Sequence, residues 1–469
     1  MKLGSKITVS APGKLLFAGG YLVLESPNVG VVIAVDKRFY CTAELFVAEE
    51  KAPVIEIHVS SPQFGQAWSY KFNRKSKAFR KGDDPTQSEN VFVEKTLRVS
   101  LLALLDDERH ENVSQINLTI KGDNDFYSLI PHLKERGELK TLTAALALPQ
   151  FLPAARVNGK IVKTGLGSSA CLVTSLVASL WYSFNKANDH TTVTESSIDT
   201  IFRLAQICHC HSQGKVGSGF DVAAACYGSH IYERFPKSLL EDLLSMLDEK
   251  SISTDLLRSS IRSILQAPWD GGIRAPLAMP RFLQVMLADV SGGSESPSMA
   301  RAVLSWKASV SSIKVPHWDD LARINKKIAS LLQNLSLQTM DEARIETLIS
   351  TIDPAEWGRT EIGKLMLDLR STAEESRQHL KTMGDLAGVP IEPDEQTALV
   401  DGTLKIPGVI AALVPGAGGY DAIACLYLNH PRVRHAVADF WCAWPHASVC
   451  PLTVQGASSG EGIRVESTH

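Results

Sequence analysis

Near the N-terminus a lysine stands in a run otherwise apolar or glycine, Ser10-Ala11-Pro12-Gly13-Lys14-Leu15-Leu16-Phe17-Ala18-Gly19-Gly20-Tyr21. An ammonium in such company costs free energy unless it meets an anion. A strand-end lysine with a covered stem and a solvated head gives the same pattern. A second segment, Ile161-Val162-Lys163-Thr164-Gly165-Leu166-Gly167-Ser168-Ser169-Ala170, leads into an apolar helix from Cys171. Its order of strand, glycine loop and helix suits a polyphosphate: glycines let the backbone come close, free N–H groups at the helix start point at the anion, and the helix dipole favours negative charge. Ser168 and Ser169 add hydroxyls where a magnesium ion or a phosphate oxygen would sit. The string is neither a P-loop, which ends Gly-Lys-Ser/Thr, nor a Gly-x-Gly-x-x-Gly dinucleotide fingerprint. Taken alone it also reads as an ordinary helix start.

Two more glycine segments extend the set. Gln213-Gly214-Lys215-Val216-Gly217-Ser218-Gly219-Phe220-Asp221-Val222 places one acid directly before a small-residue helix, Ala223 to Cys226, where a plain N-cap is the alternative reading. Val414-Pro415-Gly416-Ala417-Gly418-Gly419-Tyr420-Asp421-Ala422 lies between two apolar runs, flexible enough to close on a phosphate or substrate from a second domain, or to be only a tight turn. Cys208-His209-Cys210-His211 lines up four metal-capable side chains. Helix neighbours point about 100° apart, so four in a row cannot close on one ion, and no second cluster stands at zinc-like spacing. Cys41, Cys171, Cys226 and Cys425 sit in apolar company and read as small core residues.

These segments need elements to hold them. Alternating or apolar runs at Val31 to Val35, Val54 to Ser60 and Gln115 to Ile120 predict strands. Helical periodicity predicts helices at Asn90 to Leu105, Thr141 to Leu148, Ala170 to Phe184 and Ser197 to His209. From Pro236 to about Arg281 the chain turns helical, and Pro268 to Gly272 reads as a turn or linker. Beyond it lie a strand at Phe282 to Val290, helices at Asp320 to Leu335 and Glu361 to Met383, and an apolar run at Val409 to Val414. The expected class is α+β, with an N-terminal domain over 1–235, a helical connection over 236–280 and a C-terminal domain over 281–469.

With 469 residues the chain exceeds one ordinary hydrophobic core, and 44% hydrophobic against 21% charged residues is a globular composition. A formal net charge of -3 leaves no broad basic field for nucleic acid or anionic lipid, so any bound anion must be met locally. No run of about 18 apolar residues appears and the start has no signal-peptide core, which makes the cytoplasm the expected compartment. Monomer and homodimer both remain open.

In this order, Ala11-Pro12-Gly13-Lys14, Gly165 to Ala170 and Pro415 to Gly419 resemble the three motifs of the galactokinase, homoserine kinase, mevalonate kinase and phosphomevalonate kinase (GHMP) superfamily. Within it the wording is most similar to the eukaryotic phosphomevalonate kinases, through Lys163 to Ala170, Gly214 to Ala225, Asp123-Asn124-Asp125-Phe126-Tyr127-Ser128 and Gly292-Gly293-Ser294-Glu295-Ser296. The resemblance spans nearly the whole chain. It implies a GHMP kinase fold, with an N-terminal domain like the second domain of ribosomal protein S5 and a C-terminal ferredoxin-like domain. It also implies transfer of the γ-phosphoryl group of ATP to 5-phosphomevalonate, with Mg2+, in isoprenoid and sterol precursor synthesis.

By that resemblance Gly165, Leu166, Gly167, Ser168, Ser169 and Ala170 would wrap the ATP phosphates, with Lys163 and Asn90 beside the nucleotide. Lys14 would meet the transferring or acceptor phosphate, and Asp221 would be the catalytic acid group. Tyr21, Lys215, Gly217, Ser218 and Gly416, Ala417, Gly418 and Gly419 would hold the acceptor. Mevalonate kinases carry a magnesium-holding glutamate upstream of the aspartate, where this chain reads Cys208 to Ser212; Ser169, water and phosphate are left to hold the ion. An alcohol kinase such as mevalonate kinase is the second reading, and a non-catalytic metabolite sensor of the same fold the third.

Overall fold

The structure is a computed structural model, and it describes all residues except 1, 106–107, 158, 186–192, 291–295, 311–314, 352 and 469. In chain order the first part contains β1 (Lys2–Ala18), β2 (Val29–Val47), β3 (Val54–Ser61), β4 (Gln66–Asn73), β5 (Phe79–Lys81), α1 (Val91–Leu104), β6 (Val113–Gly122), α2 (Ile130–Glu135), α3 (Leu142–Leu146), α4 (Ser168–Asn185), α5 (Glu195–Gln213), α6 (Phe220–Tyr227) and β7 (His230–Glu233). There follow α7 (Ser238–Asp248), α8 (Thr254–Gln266), β8 (Gly272–Pro276), β9 (Leu283–Val290), α9 (Ser296–Ser309), α10 (Trp318–Ser336), α11 (Glu342–Ser350), α12 (Glu361–Ala387), α13 (Asp394–Leu404), β10 (Val409–Leu413), β11 (Ala422–Leu428), α14 (Pro431–Cys442), β12 (Val449–Pro451) and β13 (Arg464–Thr468).

Two sheets carry the fold. The first runs β13-β1-β2-β6-β3-β4-β5, with β7 on the first turns of β2 and β8 on β7. Its strands pair antiparallel except β3 with β6. β2 is long enough to serve two neighbours: Val29 to Val32 pair with β7, and Phe39 to Val47 with β6. Apolar Val173, Leu176, Val177 and Leu180 of α4, at helical spacing, are buried against β1 and β2. The second sheet, β10-β11-β9-β12, is antiparallel and packs against α12, α13 and α14. The C-terminal strand returns to the first sheet, and buried Arg38 ties it there: Nε donates to Ser10 Oγ at 2.6 Å, and the guanidinium also reaches the carbonyls of Glu461 and Gly462.

The structure departs from the sequence expectations at several places, one of them β8, which lies in the expected helical connection and pairs with β7. Lys14 lies inside the 17-residue β1, at a register shift between Pro12 and Lys14, and not at a strand end. The strand expected before the Gly165 loop shrinks to one bridge, Tyr127 with Lys163, because Ser128 N takes the Val162 carbonyl and Thr164 the Phe126 carbonyl, leaving no run of pairs. The segment Asp123 to Ser128 joins the two sheets. Asp125 accepts from Thr453 N at 2.5 Å and Ser128 donates to Asp289 of β9 at 2.5 Å. Gly292 to Glu295, quoted above, lie outside the described residues.

Burial pushes the Asp289 carboxyl up to about 6, with the Ser128 hydrogen bond opposing and the Asp421 charge adding. A folded-state pKa above the ordinary carboxylate value stabilises the protein fully below that value, and the contribution is lost as pH rises through about 6. Asp289→Asn is therefore expected to match wild type near pH 4 and to exceed it at pH 8 by about 1–3 kcal/mol. Urea unfolding at the two pH values measures the difference.

Candidate active site

The four glycine segments meet around one cavity of about 300 Å³. Lys14 emerges from the β1 irregularity onto its floor. Its backbone N–H donates to the Leu166 carbonyl at 3.0 Å, and its Nζ donates to the Gly165 carbonyl at 2.7 Å. Gly13 packs tightly beside it, and a Cβ there would stand 3.0–3.1 Å from Val35, Leu166 and Phe126. Gly167, at φ +81, lies over the lysine: an added Cβ would be 3.4 Å from Lys14 Cε and 3.8 Å from Asp221 Cβ. α4 begins at the next residue, and the N–H groups of its first turn have no acceptor inside the helix. Burial deep in the cleft pulls the Lys14 ammonium below its ordinary pKa, and the Asp221 charge pulls the other way. A cation so placed gains from an anion arriving in the cavity.

Asp221 lies in the first turn of α6, whose N-cap is Gly219 at φ +88. Its Oδ1 accepts from Val222 N at 2.9 Å, and its Oδ2 stands 4.0 Å from His209 Nε2. His209 in turn is 3.1 Å from Ser169 Oγ and 3.3 Å from Gln213 Nε2. Burial lowers the pKa of this imidazole, with the Asp221 charge opposing. Ser168 is turned the other way, bonded to Tyr127.

The third motif closes the cavity from the second sheet. Gly416 N donates to the Leu16 carbonyl at 3.3 Å, and the Tyr21 hydroxyl donates to the Ala417 carbonyl. Gly418 has no room for a side chain, a Cβ there falling 2.1 Å from the Ile391 carbonyl oxygen. Lys14, Tyr21, Lys215, Gly217, Ser218, Asp221, Gly165, Gly416, Ala417 and Gly418 all line the cavity, while Gly167, Ser168, Ser169 and Gly419 do not. The Leu166 and Ala170 side chains are buried in the core, so these residues present only backbone. Lys163 is exposed and outside the cavity wall. Asn90 caps α1, accepting from Val93 N at 3.2 Å, and two residues on Phe92 packs 5.9 Å from the His209 ring.

Sequence reasoning passed over two residues. His209 was set aside with its neighbours as part of a cysteine–histidine run, but the structure parts that run. His209 faces Ser169 and Asp221, whereas His211 faces Lys95 and Asp248. The available signal was the polar series Gln206, His209, Gln213 at helical spacing on α5. Buried Arg234 carried no motif at all. Its guanidinium donates to the carbonyls of Leu24 at 2.6 Å, Val216 at 2.8 Å and Gly217 at 2.7 Å, holding the Lys215 loop against the turn after β1. Arg234→Gln leaves at least one of these carbonyls unmet, at about 1–3 kcal/mol for each that is buried. It should lower Tm and raise KM for the acceptor more than it lowers kcat, which thermal unfolding and steady-state kinetics together check.

Residues 142–229 match the family of the GHMP kinases N terminal domain. The chain is 33% identical to "Phosphomevalonate kinase, peroxisomal" of Arabidopsis thaliana, over 98% of this chain and 96% of that one. It is 34% identical to a phosphomevalonate kinase of Aspergillus fumigatus, over 93% and 90% of the two chains. Among solved structures it is similar to Streptococcus pneumoniae phosphomevalonate kinase in complex with phosphomevalonate and AMPPNP, with a TM-score of 0.56, 15% identity and 99% of each chain covered. A crystal structure of mevalonate kinase follows at a TM-score of 0.52 and 11% identity, over 97% of this chain and 100% of that one. The fold is that of the GHMP kinases.

Proposed function

This chain belongs to the phosphomevalonate kinase family of the GHMP kinases, and on that premise we propose that it transfers the γ-phosphoryl group of ATP to 5-phosphomevalonate, giving ADP and 5-diphosphomevalonate for isoprenoid and sterol synthesis. The observation that carries the reading is the convergence of Lys14, Asp221 and Gly165 on one cavity, with Gly167, directly before α4, lying against both side chains. Phosphoryl transfer asks the protein for alignment and charge neutralisation rather than covalent help. The backbone from Gly165 to Ala170 holds the ATP phosphates, with Asn90 and Lys163 at the outer side of the nucleotide. Lys14 neutralises the transferring group. Lys215, Gly217 and Ser218, with Tyr21 and the loop Gly416 to Gly419, hold the acceptor.

The acceptor oxygen belongs to a phosphate monoester whose second pKa is about 6, so at pH 7 it is already largely anionic. Asp221 therefore acts by orienting Lys14 more than by taking a proton. The residues present fit a magnesium ion: Ser169 Oγ and the Asp221 carboxylate are hard oxygen donors that both lie near His209 Nε2. Magnesium, when bound with ATP, offsets phosphate charge and keeps several waters, so a sparse protein shell suffices. We also propose a cytoplasmic location, which cell fractionation tests against the peroxisomal one in the Arabidopsis relative's name. Among the described residues no helix is long and apolar enough to cross a membrane.

The test is ADP release with magnesium and ATP, offering 5-phosphomevalonate, mevalonate, galactose and homoserine separately. Turnover with 5-phosphomevalonate alone supports the reading. Turnover with mevalonate alone moves the chain to the alcohol kinases, and binding without turnover makes it a sensor.

A further inference from the structure

We propose that His209 is a positioning residue that fixes the Ser169 hydroxyl as a ligand for a divalent cation. The inference rests on the kinase reading above. The His209 side chain is 3% exposed, and one nitrogen, Nε2, meets Ser169 Oγ at 3.1 Å and Gln213 Nε2 at 3.3 Å. A carboxamide nitrogen only donates, so Nε2 is an acceptor and the ring proton sits on Nδ1. The single Nε2 lone pair goes to the shorter of the two contacts, so Ser169 donates its O–H to the imidazole and Gln213 makes a weaker second contact. Both lone pairs of Ser169 Oγ are then turned away from His209, and a hard cation binds lone pairs. With the opposite tautomer Ser169 would spend a lone pair on the ring, and two N–H groups would face each other across the Gln213 contact.

The same assignment leaves Asp221 free for its own task. Its Oδ2 lies 4.0 Å from an unprotonated nitrogen, so the carboxylate is not spent in an ion pair with His209. The Phe92 ring, 5.9 Å away at 35°, packs against the imidazole and holds its orientation. His209 and Gln213 are one turn apart on α5, and Ser169 is in the first turn of α4, so two helix ends are tied together at the proposed cation ligand. Among the described residues no three His, Cys, Asp or Glu side chains gather to hold a metal by themselves, so a cation here draws on the Ser169 hydroxyl and on ligand oxygens.

The experiment measures Mn2+·ADP binding by the electron paramagnetic resonance of free Mn2+, alongside metal-free ADP binding, for wild type, His209→Leu, His209→Gln, Ser169→Ala and the Ser169→Ala/His209→Leu pair. A glutamine carbonyl can accept the serine proton and a leucine cannot. Outer-shell partners of metal ligands are worth about 10–100-fold in affinity, so His209→Leu should lose that factor for Mn2+·ADP and keep its metal-free ADP affinity. His209→Gln should retain most of the metal affinity, and the double variant should lose no more than Ser169→Ala alone. Unchanged metal binding in His209→Leu, equal losses in the leucine and glutamine variants, or additive losses in the double variant would each overturn the proposal. If the leucine variant does not fold, His209→Ala, which also cannot accept the serine proton, takes its place with the same outcomes. Mn2+·ADP binding needs no acceptor, so wild-type turnover of 5-phosphomevalonate judges the kinase reading separately.

Discussion

Lys14→Met lowers kcat for 5-phosphomevalonate by about 10³–10⁵-fold, the range for a cation that neutralises a transferring phosphoryl group. Its thermal stability holds or rises. The two results belong together because the ammonium sits where burial already pulls its pKa down, with the Gly165 carbonyl at 2.7 Å as its hydrogen-bond acceptor and Asp221 as the charge opposing the shift. Methionine fills nearly the same volume without a charge to desolvate, so folding loses little. A structural lysine would behave oppositely, with Tm falling and the rate per folded molecule staying near wild type. Rapid-quench turnover and a thermal melt on the same preparation separate the cases.

Asp221→Asn should lower kcat by about 10²–10³-fold, the scale of one preorganised electrostatic contact. Its effect on the pH profile is more telling. The Asp221 charge raises the Lys14 pKa against the larger lowering by burial, so removing it lets Lys14 deprotonate at lower pH. The alkaline limb of kcat therefore moves down in pH. The acidic limb, set by a substrate phosphate that titrates near pH 6, stays where it was. An acidic limb abolished by the asparagine, and absent from titration of the substrate itself, would instead make Asp221 the base that takes the proton. Profiles of kcat from pH 5 to 10 for both proteins give the answer.

Much of the secondary structure was legible because the patterns are local. Apolar positions at helical spacing placed α1, α4, α10 and α12 to within a few residues, and apolar runs placed β3, β6, β9 and β10. The failures have local causes too. A strand end was one reading of Lys14, yet β1 continues through Pro12 and Gly13 at a register shift and runs on to Ala18. Ile161 to Lys163 read as a strand from apolar content, yet its backbone groups are spent piecemeal on Phe126, Tyr127 and Ser128.

By itself the sequence determined which residues can do chemistry: a lysine among glycines, a glycine loop before a helix, an aspartate at the head of another, and a third glycine loop far along the chain. Residue type and spacing suffice there, because a helix start or a glycine turn is specified by its immediate neighbours. Tertiary structure alone decided what those residues face. Ser168 and Ser169 are adjacent and chemically alike, yet one bonds Tyr127 and the other His209. Four consecutive residues, Cys208 to His211, divide between core, cleft and a buried contact with Lys95 and Asp248. Arg234, silent in the sequence, holds the Lys215 loop through three carbonyls. The direction of a side chain about a helix, and the partner that arrives opposite it from a distant segment, are set by packing between elements, and no local pattern encodes that.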